Sequence, residues 1–321
     1  MKCVTLAALL AVVVPLLAAA QAYPAKPVKV IIPYPAGGGA DAAARLAADG
    51  LARALGQSFI VEQRPGGNTL IGTEAAAKAV PDGYTLLLTG GSTMSVQPFV
   101  FAGKLPYDPV DGFAHIGSVS RFPFIVAVPA ALPPKTLPEF IAYVKARQGE
   151  LSYGSNGSGA LAHLGIERLK AETGMQMTHV PYKGFGPMMP DLLSGRISMT
   201  MADLAPIAGH LKSGTLRALA GTTRERWGQM PGLPTVAEAG LPGYEVDVWF
   251  GLFAPPKTPP EIVSRLSAEL QRYLSSAEAQ EAFLKIGHDA SPSTGEAVRQ
   301  RIIAEQKVYA ALVKRIGLKP E

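Results

Sequence analysis

The chain has 321 residues, 48% of them hydrophobic, with 30 basic and 25 acidic side chains and a formal net charge of +5. The basic residues are scattered singly, which argues against a nucleic-acid surface and mildly favours a small anionic ligand. The single cysteine is Cys3, inside a removable leader, so the mature protein has no disulfide, thiol nucleophile or cysteine-ligated metal.

Met1-Lys2 is a positive start, residues 4–17 form an apolar run too short to span a bilayer, and Ala20-Gln21-Ala22 is a small-x-small cleavage site. This predicts a secretory signal peptide over residues 1–22, a mature start at Tyr23 and an exported chain. Removal of 22 residues leaves 299, enough for two domains.

Residues 28–32 read as a buried strand, followed by Pro33-Tyr34-Pro35-Ala36-Gly37-Gly38-Gly39-Ala40-Asp41 and an amphipathic helix. Ala43, Ala47, Leu51 and Ala54 make its apolar stripe, Arg45, Asp49 and Arg53 its solvated one, and Gly56 ends it. Three glycines at a helix N-terminus leave bare N–H groups at the positive end of the dipole, an anion site. Asp41 reads as a cap. Gly37 to Ala42 also fits G-x-G-x-x-A, with Glu62 where a ribose-binding acid would stand. Two observations oppose that dinucleotide reading. Residues 33–36 separate strand from glycines, and a chain exported unfolded carries no cofactor. A plain turn would account for one glycine, not three behind two prolines.

The rhythm continues as strand 59–62, a turn through Pro65-Gly66-Gly67, helix 70–79, turn Pro81-Asp82-Gly83 and strand 84–88, a βαβαβ unit. Residues 97–111, rich in proline and aromatics, interrupt it. It resumes with strand 125–128, a helix opened by the capping box Thr136-Leu137-Pro138-Glu139, and strand 151–153. A second glycine loop, Gly154-Ser155-Asn156-Gly157-Ser158-Gly159, precedes a helix from Ala160. Ser155, Asn156 and Ser158 offer side-chain donors there, and His163 lies one turn into the helix. Strand 177–180, helix 187–193, strand 197–201, helix 204–213 and strand 216–220 follow. A capping box at Thr235 to Glu238, an aromatic strand 246–253, a second box at Thr258-Pro259-Pro260-Glu261 and terminal helices from about Ser293 complete the chain. Two α/β sheets joined by hinge strands would trap a ligand beyond the carboxyl ends of their strands.

Catalysis finds little support. His115, His163, His179, His210 and His288 lack metal-ligand spacing, and no G-x-S-x-G elbow occurs. Asp203 follows a strand and can face the cleft. Paired with His163 it would make an exported hydrolase or isomerase, which requires the two within hydrogen-bond reach of each other or of the ligand. Tyr34, Tyr182 and Trp249 could wall a pocket.

The chain resembles the substrate-binding receptors of tripartite tricarboxylate transporters, the Bug-type periplasmic binding proteins. The likeness covers essentially the whole mature chain. It rests on Pro33 to Gly38 with Asp41 and Arg45; Pro81-Asp82-Gly83-Tyr84-Thr85-Leu86; Tyr107-Asp108-Pro109; Val180 to Gly184; Leu216 to Ala220; Pro234 to Gly240; and Trp249-Phe250-Gly251-Leu252 with Ala254-Pro255. The resemblance implies an α/β, two-lobed type II periplasmic binding fold, with residues 23–122 and 246–321 in lobe I and 123–245 in lobe II. It implies a periplasmic monomer that takes a small carboxylate, uses no cofactor or metal, catalyses nothing and delivers its ligand to membrane permease subunits. A receptor feeding a sensor kinase is a further possibility. The implied contacts are backbone N–H groups and waters from Tyr34, Ala36, Gly37, Gly38, Gly39 and Asp41, completed by Ser92, Thr93 and the loop Ser155, Asn156, Gly157 and Ser158. His163, Tyr182 and Asp203 join them from the residue reading. Ala40, Asn156 and Gln97 depart from the family pattern and leave open which acid is taken: citrate-like, dicarboxylic, amino or aromatic.

Overall fold

A computed structural model of the chain describes residues 23–101 and 103–317. The leader, its cleavage point and Cys3 lie outside the described residues. No helix among the described residues is long and apolar enough to cross a membrane.

The first predicted strand forms as β1 (Val28–Ile32). Val28, Val30 and Ile32 pack into one apolar layer and Ile31 into another, as a strand buried on both faces requires. α1 (Gly39–Leu55) follows the glycine loop, and Gly56 ends it at φ 70° with its N–H donating to Ala52 O. β2 (Phe59–Gln63), α2 (Leu70–Ala77) and β3 (Thr85–Gly90) complete the βαβαβ unit, with β1 parallel to both β2 and β3. A π-helical segment (Ser92–Val96), the short α3 (Gln97–Val100) and β4 (Ala114–Pro123) come next. The sequence reading places no strand at β4. Its middle, Ile116 to Ser120, is buried on both faces and built partly of Gly117, Ser118 and Ser120, so it carries no alternation of polarity.

The second sheet is assembled from β5 (Ile125–Pro129), α4 (Leu137–Lys145), β6 (Ser152–Ser155), α5 (Leu161–Thr173), β7 (Thr178–Pro181), α6 (Phe185–Leu193), β8 (Met199–Ala202), α7 (Leu204–Lys212) and β9 (Leu216–Gly221). The chain then returns through β10 (Asp247–Ala254), α8 (Pro260–Leu274), α9 (Ala277–Lys285), β11 (Asp289–Ala290) and α10 (Gly295–Ile316). Lobe I carries the order β11-β4-β10-β3-β1-β2 and lobe II the order β7-β6-β8-β5-β9. The lobes share a plan. A central strand (β1 or β6) has a parallel neighbour on each side, and an antiparallel strand (β10 or β5) pairs beyond one of these neighbours.

Two of the three predicted capping boxes behave differently from expectation. Thr136 caps α4 by accepting from the Glu139 N–H, as expected. Thr235 and Glu238 exchange both hydrogen bonds, yet they close a turn and not a helix. Thr258 caps nothing: its hydroxyl donates to Pro255 O at 2.8 Å, and α8 opens on Pro260.

The chain crosses between the sheets at Pro123-Phe124 and again after β9, before β10. α10 makes a third crossing. Val298 and Ile302 in its first half belong to a lobe I core, whereas Tyr309, Leu312 and Val313 belong to the core built on α4, α5 and β5 of lobe II. A partition of the chain that gives all of residues 246–321 to lobe I thus departs from the packing along the last turns of α10. At the crossing point Glu305 accepts from Trp249 Nε1 (2.9 Å), Ser95 Oγ (2.6 Å) and Arg301 Nε (2.7 Å), and Arg301 also reaches Asp247 at 2.9 Å. The helix is a strap pinned at its middle by a partly buried polar cluster and on either side of it by apolar contacts. Leu312→Ala is expected to lower the unfolding free energy by about 2–5 kcal/mol, measured by urea denaturation. A change below about 0.5 kcal/mol would mean the strap does not pack on lobe II.

Candidate functional site

Both glycine loops leave the carboxyl end of a central strand, β1 or β6, at the point where its two neighbours lie on opposite sides. This is the switch point at which open α/β sheets bind ligands. The loops open on one cavity of about 710 Å³ between the lobes. Tyr34, Gly37, Gly38, Gly39, Ser92, Asn156 and Asp203 of the expected site residues line it. Phe122, Phe124, Leu161, Phe185, Val248 and Phe250 supply apolar wall, and Lys183 is the lining cation.

The lobe I side is built from the glycine loop. Gly37 sits at φ +82°, a conformation that disfavours any side chain, and Gly39 lies so close to His288 that a Cβ there would meet its Nε2 at 2.9 Å. Gly38 has ordinary extended backbone, and only Pro35 O, at 4.0 Å, lies within reach of an added Cβ. Asp41 is buried and does not line the cavity. It accepts from Gly37 N (3.1 Å), Arg45 Nε (3.2 Å) and Gln63 Nε2 (2.8 Å). Burial works to raise its pKa, but these donors outweigh burial and hold the carboxyl below its ordinary range. Its charge is spent on shaping the loop. His288 stacks on Phe122 at 4.0 Å, and its Nδ1 lies 3.2 Å from Ser120 Oγ. Burial depresses its pKa to about 3, so it faces the cavity uncharged.

The adjoining wall is a loop that the sequence reading treats as a simple turn. Pro65, Gly66, Asn68 and Thr69 line the cavity. Asn68 (φ 52°) and Thr69 (φ 76°) are consecutive non-glycine residues in the left-handed region, and such strain is retained only where the surroundings over-determine it. Gln97 supplies that determination. Its Nε2 donates to Asn68 O and, at 2.6 Å, to Thr69 Oγ1, while its Oε1 accepts from Tyr107 at 2.8 Å. Thr93 joins the same chain, 3.0 Å from Thr69 Oγ1 and 3.2 Å from Tyr34 Oη. Thr93 therefore braces the wall from behind. The legible signal was a third strand–glycine–helix sequence, Pro65-Gly66-Gly67 ahead of α2.

On the lobe II side, Asn156 reaches the cavity and its Oδ1 is buried without a hydrogen-bond partner among the described residues. Its loop neighbours turn inward. Ser155 is fully buried, with Oγ 2.7 Å from His179 Nε2 and 3.0 Å from Gly157 O. His163 accepts the Gly159 N–H at 3.0 Å and stacks on His179 at 3.9 Å. Burial lowers the pKa of both rings, that of His179 to about 4. Tyr182 donates to Asp191 at 2.7 Å. Ala36, Gly157 and Ser158 also lie off the cavity lining. Ser155, His163 and Tyr182 hold lobe II loops in place and leave no free group to the cleft. The acid/base pair imagined for Asp203 and His163 does not form: no hydrogen bond links them, and the His163 ring is committed to Gly159.

One pattern unites the lining. The N-cap residues of α1, α2, α5, α6 and α7 are Gly38, Thr69, Ala160, Gly184 and Asp203, and all five line the cavity. None of these helices has a side-chain cap. By contrast α4, α9 and α10, which start elsewhere, are capped by Thr136, Ser276 and Thr294. At α2 the Leu70 and Ile71 N–H groups are taken by Gly67 O (3.1 Å) and Gly66 O (3.4 Å), so the first-turn N–H groups left to the cleft are those of α1, α5, α6 and α7, each at the positive end of a helix dipole.

The comparisons with known proteins agree with this geometry. The family model for the tripartite tricarboxylate transporter family receptor matches residues 43–318. Protein BugT of Bordetella pertussis is 35% identical over 300 residues, covering 94% of this chain and 92% of its own. A solved R. palustris structure with adipate superposes with a TM-score of 0.85 at 34% identity, over 93% of this chain and 100% of that one. MatC from Rhodopseudomonas palustris, solved with bound malate, gives 0.79 at 28% identity, over 91% and 100%. The family is one of solute-binding receptors, not enzymes. The two-lobed architecture, the shared cleft and these matches lead to one statement: the chain belongs to the tripartite tricarboxylate transporter family of receptors.

Proposed function

We propose that this receptor works in the periplasm, captures a small organic acid in the interlobe cleft and delivers it to the permease subunits of a tripartite transporter. The observation that carries the reading is the convergence on one cavity of four helix N-termini, those of α1, α5, α6 and α7, whose first turns have no side-chain cap. An anion there gains fixed N–H donors and dipole ends at no cost in side-chain ordering, and waters can bridge what direct contacts do not reach. Lys183 is the one Lys or Arg in the lining, so backbone N–H groups and not ion pairs carry this reading.

The cavity also limits the ligand's body. The lining combines phenylalanine and aliphatic side chains with the glycine loop of lobe I and with Asn156 and Lys183 of lobe II, which suits a ligand with an apolar body and polar groups. The relatives solved with adipate and malate support a dicarboxylic acid as the class. Gly37, Gly38, Gly39, Ser92 and Asn156 are the residues assigned to hold its carboxylates. Lobe closure around the acid shifts an existing equilibrium, and the closed face is what the permease reads.

Trp249 is 1% exposed, lines the cavity and is tied to the strap helix through Glu305, so its fluorescence is the natural reporter of ligand capture. Titration of refolded protein with straight-chain dicarboxylates is expected to give a saturable signal with at least one member. A flat response to the whole series would contradict the reading. The Gly38→Val variant tests the backbone site itself. Its side chain has room in the fold but projects where an anion approaches the N–H groups. It is expected to unfold within about 1 kcal/mol of the parent and to lose binding by at least about 100-fold. Unimpaired binding would make the glycine loop purely structural.

A further inference from the structure

The cleft contains one group that conflicts with an anionic ligand. Asp203 is the N-cap of α7 with extended backbone (φ −61°, ψ 157°), the geometry of a capping aspartate, yet its side chain makes no capping bond. Pro206 occupies the third helical position, so the N–H that a capping carboxylate most readily takes there does not exist. The carboxyl is left to the cavity without a hydrogen-bond or ion-pair partner among the described residues.

The charged and titratable neighbours do not relieve it. Asp41, behind the glycine loop, is paired with Arg45, and Tyr34 is bonded to Thr89 and Thr93. His288 is neutral, Asp289 accepts from Trp227 Nε1 at 3.1 Å, and Arg217 on β9 is spent on the carbonyls of Ala130, Leu132 and Pro134. His210 and Lys212 sit in the last turn of α7, away from its N-terminus. Lys183 lines the cavity from the loop before α6 and is exposed, and among the described residues it forms no ion pair with Asp203. An ionised Asp203 would therefore share the cleft with a bound dianion while making no ion pair or hydrogen bond of its own among the described residues.

We infer that Asp203 binds the ligand as a protonated acid, donating its proton to a ligand carboxylate, so that each dianion captured brings one proton into the cleft. This rests on the carboxylate reading of the site. Burial alone already pushes the Asp203 pKa up to about 7, and a dianion beside it raises the value further, because like charges disfavour the ionised form. Neutral Asp203 is then a donor, matched to the acceptor that the ligand presents, and the receptor selects acids over ligands with a cationic centre.

The test is the pH dependence of affinity, measured by calorimetry on the full mature protein with succinate, glutarate and adipate from pH 6.5 to 9, where these acids stay dianionic. Wild-type affinity is expected to fall by about tenfold per pH unit above 7, with proton uptake approaching one per ligand when buffers of different ionisation enthalpy are compared. Asp203→Asn, which donates at every pH, is expected to hold its own affinity constant across the range. A purely structural role would leave the wild-type profile and the proton count flat, and that result overturns the inference while sparing the carboxylate reading. Affinity that rises with pH, with glutamate preferred to glutarate, overturns it in favour of an ionised Asp203 paired with an ammonium group. Failure of every acid to bind either protein removes the carboxylate reading and this inference together.

Discussion

Every feature of the cleft depends on one constraint: helix N-termini aimed at a shared space and left uncapped. A helix start exposes about four N–H groups that need a partner. At α4, α9 and α10 a threonine or serine supplies it, Thr136, Ser276 and Thr294, while α3 and α8 start on Val96 and Pro259 without a side-chain cap. At the cleft, Gly38, Ala160 and Gly184 have no side chain able to do so, and Thr69 and Asp203 direct theirs elsewhere. The missing caps are a local cost to α1, α5, α6 and α7, and in the proposed function a bound anion would offset it. Stability and ligand capture are thereby linked, since a ligand that binds only the folded, assembled cleft stabilises it by mass action.

The rest of the structure keeps those termini pointed at one another. Each lobe places its central strand between two parallel neighbours, so the following loop must rise at the switch point. The polar side chains near the loops are used up in holding them. Asp41 fixes the glycine loop, Gln97 and Thr93 fix the strained Asn68-Thr69 wall, and the His163–His179 stack fixes the lobe II loop. The α10 strap and the Glu305 cluster tie the cavity floor at Trp249 to both lobes. Asn156 Oδ1 and the Asp203 carboxyl stand apart as cleft-lining polar groups with no hydrogen-bond partner among the described residues, which is why ligand-directed roles are proposed for them.

Much of this was legible in the sequence, and the reasons differ by element. Strands and helices of the βα units read clearly because buried parallel strands are short apolar runs punctuated by glycine, as at β1, Gly56 and β8. β4 did not, since a strand buried on both faces by Gly117, Ser118 and Ser120 has neither alternation nor an apolar run. The box at Thr235 to Glu238 closes a turn because its local hydrogen bonds need no helix to follow. Site residues divide the same way. Glycines at a switch point announce backbone chemistry, and Gly37 to Gly39 do line the cavity. Serine, histidine and tyrosine announce only capacity, and tertiary partners such as His179 for Ser155 and Asp191 for Tyr182 cannot be read from spacing. Asn68 and Thr69 escaped because their role lies in backbone dihedrals that Gln97, 28 or 29 positions away, imposes.

The central claim is that this cleft exists to hold an organic anion. Native mass spectrometry of the purified mature protein, followed by denaturing release and identification of whatever small molecule was retained, tests it most directly. The account predicts one equivalent of a small acid carrying at least one carboxylate, lost from Gly38→Val. A neutral or purely cationic molecule held in the same stoichiometry would contradict it.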